Sequence, residues 1–415
     1  RRQFKDALIS YNKAVALNPQ LPGLRSMRLH CRMHLCDWND FEAESDIIVS
    51  SVRDGRHIGP PFCMLPIPCT AEDQRSNAER FIDACVLPSK EDSLKVRRSS
   101  RRRIRVAYIS ADFRQHPNAY LIAGLIEAHD KTRFDIFGIS LLPEDSSSIG
   151  QRLKNSFSKF FDVSAMTDAA VVRMLRRLDV DIVIDLMGHT RSSRTNILAG
   201  RAAPIQVNYL GFPGTMGADF MDYILADTTL IPSVHQGFYR EKIVYLPGSY
   251  QAYDSKRAIA AQTVTRAEAG LPEQGFVYCC FNNPYKLTPV VFDSWMRILG
   301  HVGNSVLWLI HSDDTVVANL RREAEARGID PKRLVFARWM PSVADLFLDT
   351  LPYNAHTTAS DALWAGLPVI TRIGETYAGR VAASLLTSLG LPELITSTLD
   401  AYETLAISLA QNPAL

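Results

Sequence analysis

Residues 344–366 read Ala-Asp-Leu-Phe-Leu-Asp-Thr-Leu-Pro-Tyr-Asn-Ala-His-Thr-Thr-Ala-Ser-Asp-Ala-Leu-Trp-Ala-Gly. The apolar run Leu346–Asp349 predicts a buried strand. A polar loop follows, and Ser360–Gly366 predicts a short helix opened by small hydroxyl residues. Strand, loop, helix is the repeating unit of a parallel sheet, and the pattern recurs on both sides of this stretch. Upstream lie strand-like runs at Phe276–Phe281, Ser305–Ile310 and Arg333–Phe336, with helices at Val290–Leu299 and Val317–Arg327; Pro368–Thr371 follows downstream. Earlier still come Arg105–Ser110, Phe134–Ser140, Ile182–Asp185 and Ile205–Leu210, with helices at Tyr120–Asp130 and Thr167–Leu178. A segment rich in loops, about 228–265, divides the two series. The expected fold is therefore α/β, with two consecutive Rossmann-like lobes and a ligand-binding cleft at the carboxyl ends of their strands.

Residues 1–95 are read as a helical segment with a linker, 96–260 as the first lobe and 261–415 as the second. Phe4, Ala7, Leu8, Tyr11, Ala14, Val15 and Leu17 recur at helical spacing, and Asn18-Pro19 ends the helix. Small Ala7 and Ala14 around large Tyr11, with a terminal proline, resemble the second helix of a tetratricopeptide repeat. One repeat cannot bury its own apolar face, and the chain begins without methionine, so it is expected to be a fragment that continues at both ends. A second helical stretch is predicted from about Leu24 to Val49. The basic run Lys95–Arg103 has no interleaved aromatic side chains for base stacking and reads as a solvated linker.

The 415 residues are 47% hydrophobic and 22% charged with a net charge of +2, which excludes a disordered chain and gives no global field for nucleic acid. No run reaches the length of a membrane helix. Seven cysteines without tight spacing make no disulfide framework, Cys279 and Cys280 read as buried core thiols, and a cytoplasmic setting is expected.

Four loops carry candidate chemistry. A helix start at His356-Thr357-Thr358 offers N–H groups, hydroxyls and the positive end of the helix dipole to a phosphate. Plain capping by Thr358 or Ser360, worth about 1 kcal/mol, is the alternative. Lys286, on the loop leaving the strand Phe276–Phe281, is placed to meet a diphosphate and neutralise a departing charge. His116, in Ser110-Ala111-Asp112-Phe113-Arg114-Gln115-His116-Pro117, is a candidate for acid/base work near neutrality, although a lone histidine is as often structural. Gly211, Gly214 and Gly217 permit a close backbone approach to a small ligand. Neither a dinucleotide-binding glycine motif nor a phosphate-binding P-loop occurs. Asp179-Val180-Asp181 precedes its strand and so lies away from the proposed cleft; no Cys/His spacing fits zinc, and metal independence is expected.

Taken together, Asp112-Phe113 through His116-Pro117, Arg201-Ala202-Ala203-Pro204-Ile205-Gln206, Gly211-Phe212-Pro213-Gly214-Thr215, Met221-Asp222-Tyr223, Asn304–Leu309, Asn354-Ala355-His356-Thr357-Thr358 and Gly374-Glu375-Thr376 through Ser384 resemble the catalytic region of the O-GlcNAc transferase family, which includes the plant SPINDLY proteins. The likeness covers about residues 104–415. It implies a GT-B fold and an inverting, metal-independent transfer of N-acetylglucosamine from UDP-GlcNAc to protein Ser/Thr hydroxyls, with acceptors met through the tetratricopeptide repeats. It further implies that Lys286, Thr357 and Thr358 hold the diphosphate, that Asp361 binds the ribose, and that His356 lines the phosphate–sugar junction. Asn283 stands where the animal enzyme has glutamine beside the nucleotide. Thr190, Gly211, Pro213, Gly214 and Thr215 would shape the sugar and acceptor pocket, and His116 matches the histidine proposed as base or acceptor-positioning group. A GDP-fucose-using, SPINDLY-like enzyme and an inactive repeat-bearing interaction protein are the alternatives. His116-Pro117 and His356 favour UDP-GlcNAc, while Gly188-His189-Thr190 leans towards the plant-like form. Family members carry a helix where only Ala337–Ala344 connect two strands here, so residues are expected to be missing between Arg338 and Val343.

Overall fold

The computed structural model describes residues 4–19, 21–86, 103–259, 265–337 and 343–412. Most of the basic run and the short connection after Ala337 lie outside the described residues, and so do the readings made of them. By packing, the chain divides into two units: residues 74–257, and residues 1–73 together with 258–415. The helical segment expected over 1–95 is thus shared, its first 73 residues grouped with the second lobe.

The N-terminal helices are α1 (Phe4–Leu17), α2 (Leu24–His34), α3 (Phe41–Arg53) and α4 (Ala71–Cys85). The helical stretch expected over about Leu24–Val49 is made of two helices, α2 and α3. Cys36 and Asp40 adopt left-handed backbone (φ 49° and 55°), which an α-helix does not accommodate, and the chain turns there. Asp40 then enters α3.

In the unit of residues 74–257, β1 (Ile104–Ser110), α5 (Pro117–Glu127), β2 (Phe134–Ser140), α6 (Ser148–Ser156), β3 (Lys159–Asp162), α7 (Asp168–Arg177), β4 (Ile182–Asp185), α8 (Thr195–Ala199), β5 (Ile205–Asn208), β6 (Tyr223–Ala226) and β7 (Lys242–Tyr245) follow in turn. The strands form one parallel sheet of order β3-β2-β1-β4-β5-β6-β7. Ile109, Ile139 and Val183 pack with Val171 and Leu175 of α7 in its core. Covering a parallel sheet on both faces buries its central strands, so β1 and β2 read as near-continuous apolar runs. β7, at an edge and mostly exposed, lies within the loop-rich stretch of about 228–265.

In the other unit, β8 (Phe276–Cys280), α9 (Pro289–His301), β9 (Ser305–Ile310), α10 (Asp314–Ala326), β10 (Leu334–Ala337), β11 (Leu346–Leu348), α11 (Thr357–Trp364), β12 (Val369–Arg372), α12 (Val381–Ser388), β13 (Ile395–Thr396) and α13 (Leu399–Gln411) build a parallel sheet of order β10-β9-β8-β11-β12-β13. Trp295, Trp308, Tyr278 and Phe347 are fully buried within it, with Cys279 and Cys280. Each sheet reverses its strand order once, between β1 and β4 and between β8 and β11. The crevice outside the carboxyl ends of the strands at such a reversal is where α/β sheets bind ligands.

Candidate active site

In the second sheet, the loops leaving β8 and β11 flank the reversal, and they carry Lys286 and the His356-Thr357-Thr358 cluster respectively. Asp349, the first residue after β11, organises its loop. One carboxylate oxygen accepts the N–H groups of Thr350 (2.8 Å) and Ala355 (2.6 Å), and the other accepts the Thr371 hydroxyl at 2.6 Å. The loop is thereby wrapped around a fully buried acid, whose pKa burial pushes up to about 7.

Lys286 closes a 3-10 turn, Pro284–Lys286, and is only 6% exposed. Its Nζ donates to the Asn354 carbonyl at 2.7 Å and lies 3.8 Å from the centre of the Tyr353 ring. Burial pushes its pKa down to about 7, opposed by the charge of Asp349. Among the described residues the ammonium forms no ion pair. An ammonium buried beside one carbonyl and one ring face is under-compensated, and an incoming anion repairs that.

α11 begins at Thr357, with His356 as a cap residue that makes no side-chain cap bond. The Thr358 hydroxyl donates to the Asn282 side-chain oxygen instead. Asn282 in turn donates to Thr350 at 2.8 Å, and Thr350 to the Tyr353 carbonyl at 2.7 Å. Plain capping by Thr358 is therefore not what the sequence encodes here, and the cap residue His356 lends no side chain to the first N–H groups of α11. His356 donates through Nε2 to the Ala378 carbonyl at 3.2 Å; burial and the neighbouring Lys286 charge hold its pKa well below the usual range, so the ring is neutral. Asp361 sits half-buried one helical turn beyond Thr357. Asn283 is exposed and contributes its carbonyl, which accepts the Lys286 N–H at 2.9 Å.

In the first sheet, His116 follows β1 and caps α5. Its Nδ1 lies 3.3 Å from the Asn118 N–H and 3.3 Å from the Asp112 carboxylate. With its proton turned to Asp112, the ring leaves Nε2 as an acceptor, the state a base needs; with Nδ1 accepting from Asn118, Nε2 carries the proton and donates. Burial raises the pKa of Asp112, which also accepts from Asn118 Nδ2 at 3.1 Å.

The loop after β4 is held by Asp185, which accepts from Met187 and Gly188 at 3.0 and 2.9 Å and is pushed up to about 6 by burial. Thr190 spends its hydroxyl on the Met187 carbonyl (2.8 Å). The loop after β5 presses directly on this one: a Cβ on Gly211 would stand 2.0 Å from the Leu186 carbonyl oxygen, so only glycine fits. Pro213, Gly214 and Thr215 are buried. Thr215 donates to Glu241 and accepts the N–H groups of Gly217 (3.0 Å) and Arg240 (3.2 Å). It fixes the loop from within. Asp181 accepts the Arg105 N–H at 2.9 Å at the amino end of the sheet, the opposite end from His116.

Sequence reasoning did not single out Asp349, Asn282, Tyr353, Asp185 or Glu241. For Asp349 and Asp185 a signal was present, an acid ending an otherwise apolar strand. The others act through partners distant in sequence. Among the described residues, no group of three or more His, Cys, Asp or Glu side chains is placed to hold a metal ion, and no helix is long and apolar enough to cross a membrane.

Comparison with known proteins supplies the family. Residues 35–262 and 255–415 match glycosyl transferase family 41. The chain is 37% identical over 327 residues to the probable UDP-N-acetylglucosamine–peptide N-acetylglucosaminyltransferase SEC of Arabidopsis thaliana, covering 75% of this chain and 33% of that protein. It is 30% identical over 328 residues to the Arabidopsis SPINDLY protein of the same enzyme description, covering 75% of this chain and 35% of that one. The chain thus spans about a third of the length of these relatives. A solved structure of a Thermobaculum terrenum O-GlcNAc transferase mutant superimposes with a TM-score of 0.82 at 28% identity, covering 99% of this chain and 80% of that one. Two parallel sheets, each with its candidate residues on the loops that flank its reversal, and a family match running through both, make this chain a member of glycosyl transferase family 41.

Proposed function

We propose that the chain is the catalytic part of an inverting glycosyltransferase that moves N-acetylglucosamine from UDP-GlcNAc to Ser/Thr hydroxyls of proteins. The observation that carries this is Lys286, a buried ammonium without an ion pair among the described residues, on one of the two loops that flank a strand-order reversal; the other opens a helix whose cap residue lends no side chain to its first N–H groups. An anion of two adjacent phosphates satisfies both features. The printed names of the relatives, UDP-N-acetylglucosamine–peptide transferases, supply the sugar, the nucleotide and the acceptor class.

In this reading the bond between the sugar's anomeric carbon and the diphosphate breaks, and its electron pair leaves with UDP. Lys286 and the α11 terminus stabilise that charge, the task a metal performs in other transferases, so no metal is required. The Thr358 hydroxyl, which donates to Asn282 in the free chain, would turn its proton to a phosphate oxygen when the diphosphate binds, and Asp361 would bind the ribose. Neutral His356, which donates a hydrogen bond through Nε2 to the Ala378 carbonyl, would line the phosphate–sugar junction. The acceptor hydroxyl attacks the opposite face and loses its proton; His116 is the group assigned to orient or receive it. The tetratricopeptide-like helices would contact acceptor proteins. Seven cysteines, none of them in a disulfide, fit a reducing, cytoplasmic setting.

Calorimetry with UDP and with GDP, followed by transfer from labelled UDP-GlcNAc to peptides in the presence of EDTA, tests this. UDP binding and metal-independent labelling are expected. Preference for GDP would move the assignment to a fucosyl donor, and binding without transfer would leave an interaction protein.

A further inference from the structure

The loop that carries Lys286 does two things at once. Tyr285 turns its ring to α2, 5.1 Å from His30 and 4.8 Å from His34 between centres, while Lys286 beside it reaches the face of Tyr353 at 3.8 Å. Tyr353 is itself gripped by Tyr285 at 6.0 Å and by Phe62 at 6.3 Å, and Phe62 meets His30 edge-on at 5.8 Å. The opposite end of the set lies at the donor cluster, where Tyr353 contacts His356 at 5.0 Å. The turn after α2 adds a hydrogen bond from Trp38 Nε1 to the Leu287 carbonyl, 3.1 Å. Every one of these residues belongs to the same packing unit.

A cluster of rings is most often only core. Here the ring in the middle carries a buried ammonium on its face, and among the described residues that ammonium donates to one carbonyl besides, with the Asp349 charge nearby. The ring's tilt therefore sets where the charge sits and how strongly it is held. We propose that Tyr353 is a positioning residue for Lys286, and that α2 through His30 and His34, backing Phe62 of the turn Pro61–Met64, fixes its orientation, so that the N-terminal helical segment completes the donor side of the site. This rests on the reading of Lys286 as the diphosphate lysine and extends it: the helices do more than meet acceptors, and their placement is expressed in nucleotide affinity.

The test uses the whole chain with Tyr353→Phe, Tyr353→Leu and Phe62→Leu. The first readout needs no nucleotide. In protein labelled at the lysine ε-carbons, the Lys286 resonance, assigned by its loss in Lys286→Arg, should be displaced by the ring current of Tyr353. That displacement should persist in Tyr353→Phe, vanish in Tyr353→Leu and change in Phe62→Leu. The second readout is the dissociation constant for UDP. Tyr353→Leu should weaken it on the order of tenfold, Tyr353→Phe by less than about twofold, and Tyr353→Leu should cost nothing further in a Lys286→Ala background. A Lys286 resonance unmoved by Tyr353→Leu, or an equal loss of affinity with Lys286 already absent, overturns the positioning role. A resonance unmoved by Phe62→Leu overturns the part assigned to α2. If the resonance behaves as expected while the wild-type protein binds no UDP, the donor assignment of Lys286 fails and the positioning of its side chain stands.

Discussion

The Lys286 ammonium donates to the main-chain oxygen of Asn354 at 2.7 Å, tying the exit of β8 to the exit of β11 across the point where the strand order reverses. The lysine is thus part of the loop's own framework before any ligand arrives, and its charge state is set by that framework.

Because burial brings Lys286 down to about 7, the free site loses its ammonium as the pH rises through neutrality, whereas a bound diphosphate favours the protonated form. The dissociation constant for UDP-GlcNAc should be flat below pH 7 and rise above it, by at most about tenfold per pH unit. Calorimetry across pH 6 to 9 measures this. Lys286→Ala should weaken binding on the order of 100-fold at pH 6.5 and abolish the slope. A wild-type affinity independent of pH would remove Lys286 from the role.

Asp112 and His116 stand 3.3 Å apart, and the carboxylate favours the tautomer with the imidazole proton on Nδ1 and Nε2 accepting, against the Asn118 N–H, which favours the other. Asp112→Asn removes that preference without altering size. Transfer should slow on the order of 10- to 100-fold with the KM for UDP-GlcNAc unchanged. Steady-state kinetics decides, and an equal rise in KM would point to a role in donor binding instead.

His189 is fully buried between Phe81 and Phe212, with Nε2 on the Met216 carbonyl at 2.9 Å, and burial lowers its pKa to about 4. Unfolding exposes it and lets it take up a proton. The stability its neutral state contributes is therefore present above about pH 6.5 and is lost as the pH falls towards 4, by about 3 kcal/mol in all. Asp185, raised to about 6, acts in the opposite sense: its contribution is present at low pH and is lost as the pH rises through 6. Comparing His189→Gln with wild type isolates the histidine. In urea unfolding the difference between the two proteins should shrink as the pH drops from 6.5 to 4.

A methyl group on Gly211 would have to share space with the Leu186 carbonyl oxygen, 2.0 Å away, and backbone cannot step aside as a side chain does. Gly211→Ala should destabilise the unit of residues 74–257 by about 3 kcal/mol in denaturant unfolding. An unchanged midpoint would show that the loops after β4 and β5 do not rely on this contact.

Most of the architecture is legible in the sequence because parallel strands buried on both faces leave uninterrupted apolar runs. Phe134–Ser140, Ile182–Asp185 and Ser305–Ile310 match their observed strands residue for residue. β3 and β7 are edge strands with half-exposed or exposed side chains, so no such run marks them. The division between α2 and α3 was hidden because left-handed backbone at Cys36 and Asp40 has no glycine to announce it. At the candidate site, Lys286 and His356 are singled out by the sequence because position after a strand is itself information. Tyr353 and Glu241 were not, since their partners lie far along the chain: Phe62 for the one, Asn208 and Thr215 for the other. Trp38 and Asn319 fasten the turn after α2 onto the second lobe through Leu287 and Leu35, contacts that no local pattern in residues 1–95 announces.

That fastening bears on how the molecule can be taken apart. The basic run before β1 is where a biochemist would sever the chain to obtain the two lobes alone. Cutting there would strip Tyr285 and Phe292 of their covering aromatic neighbours and leave the Lys286 loop without its backing. The shortest fragment worth purifying begins before Leu24, and any shorter one should be judged first by whether it stays in solution.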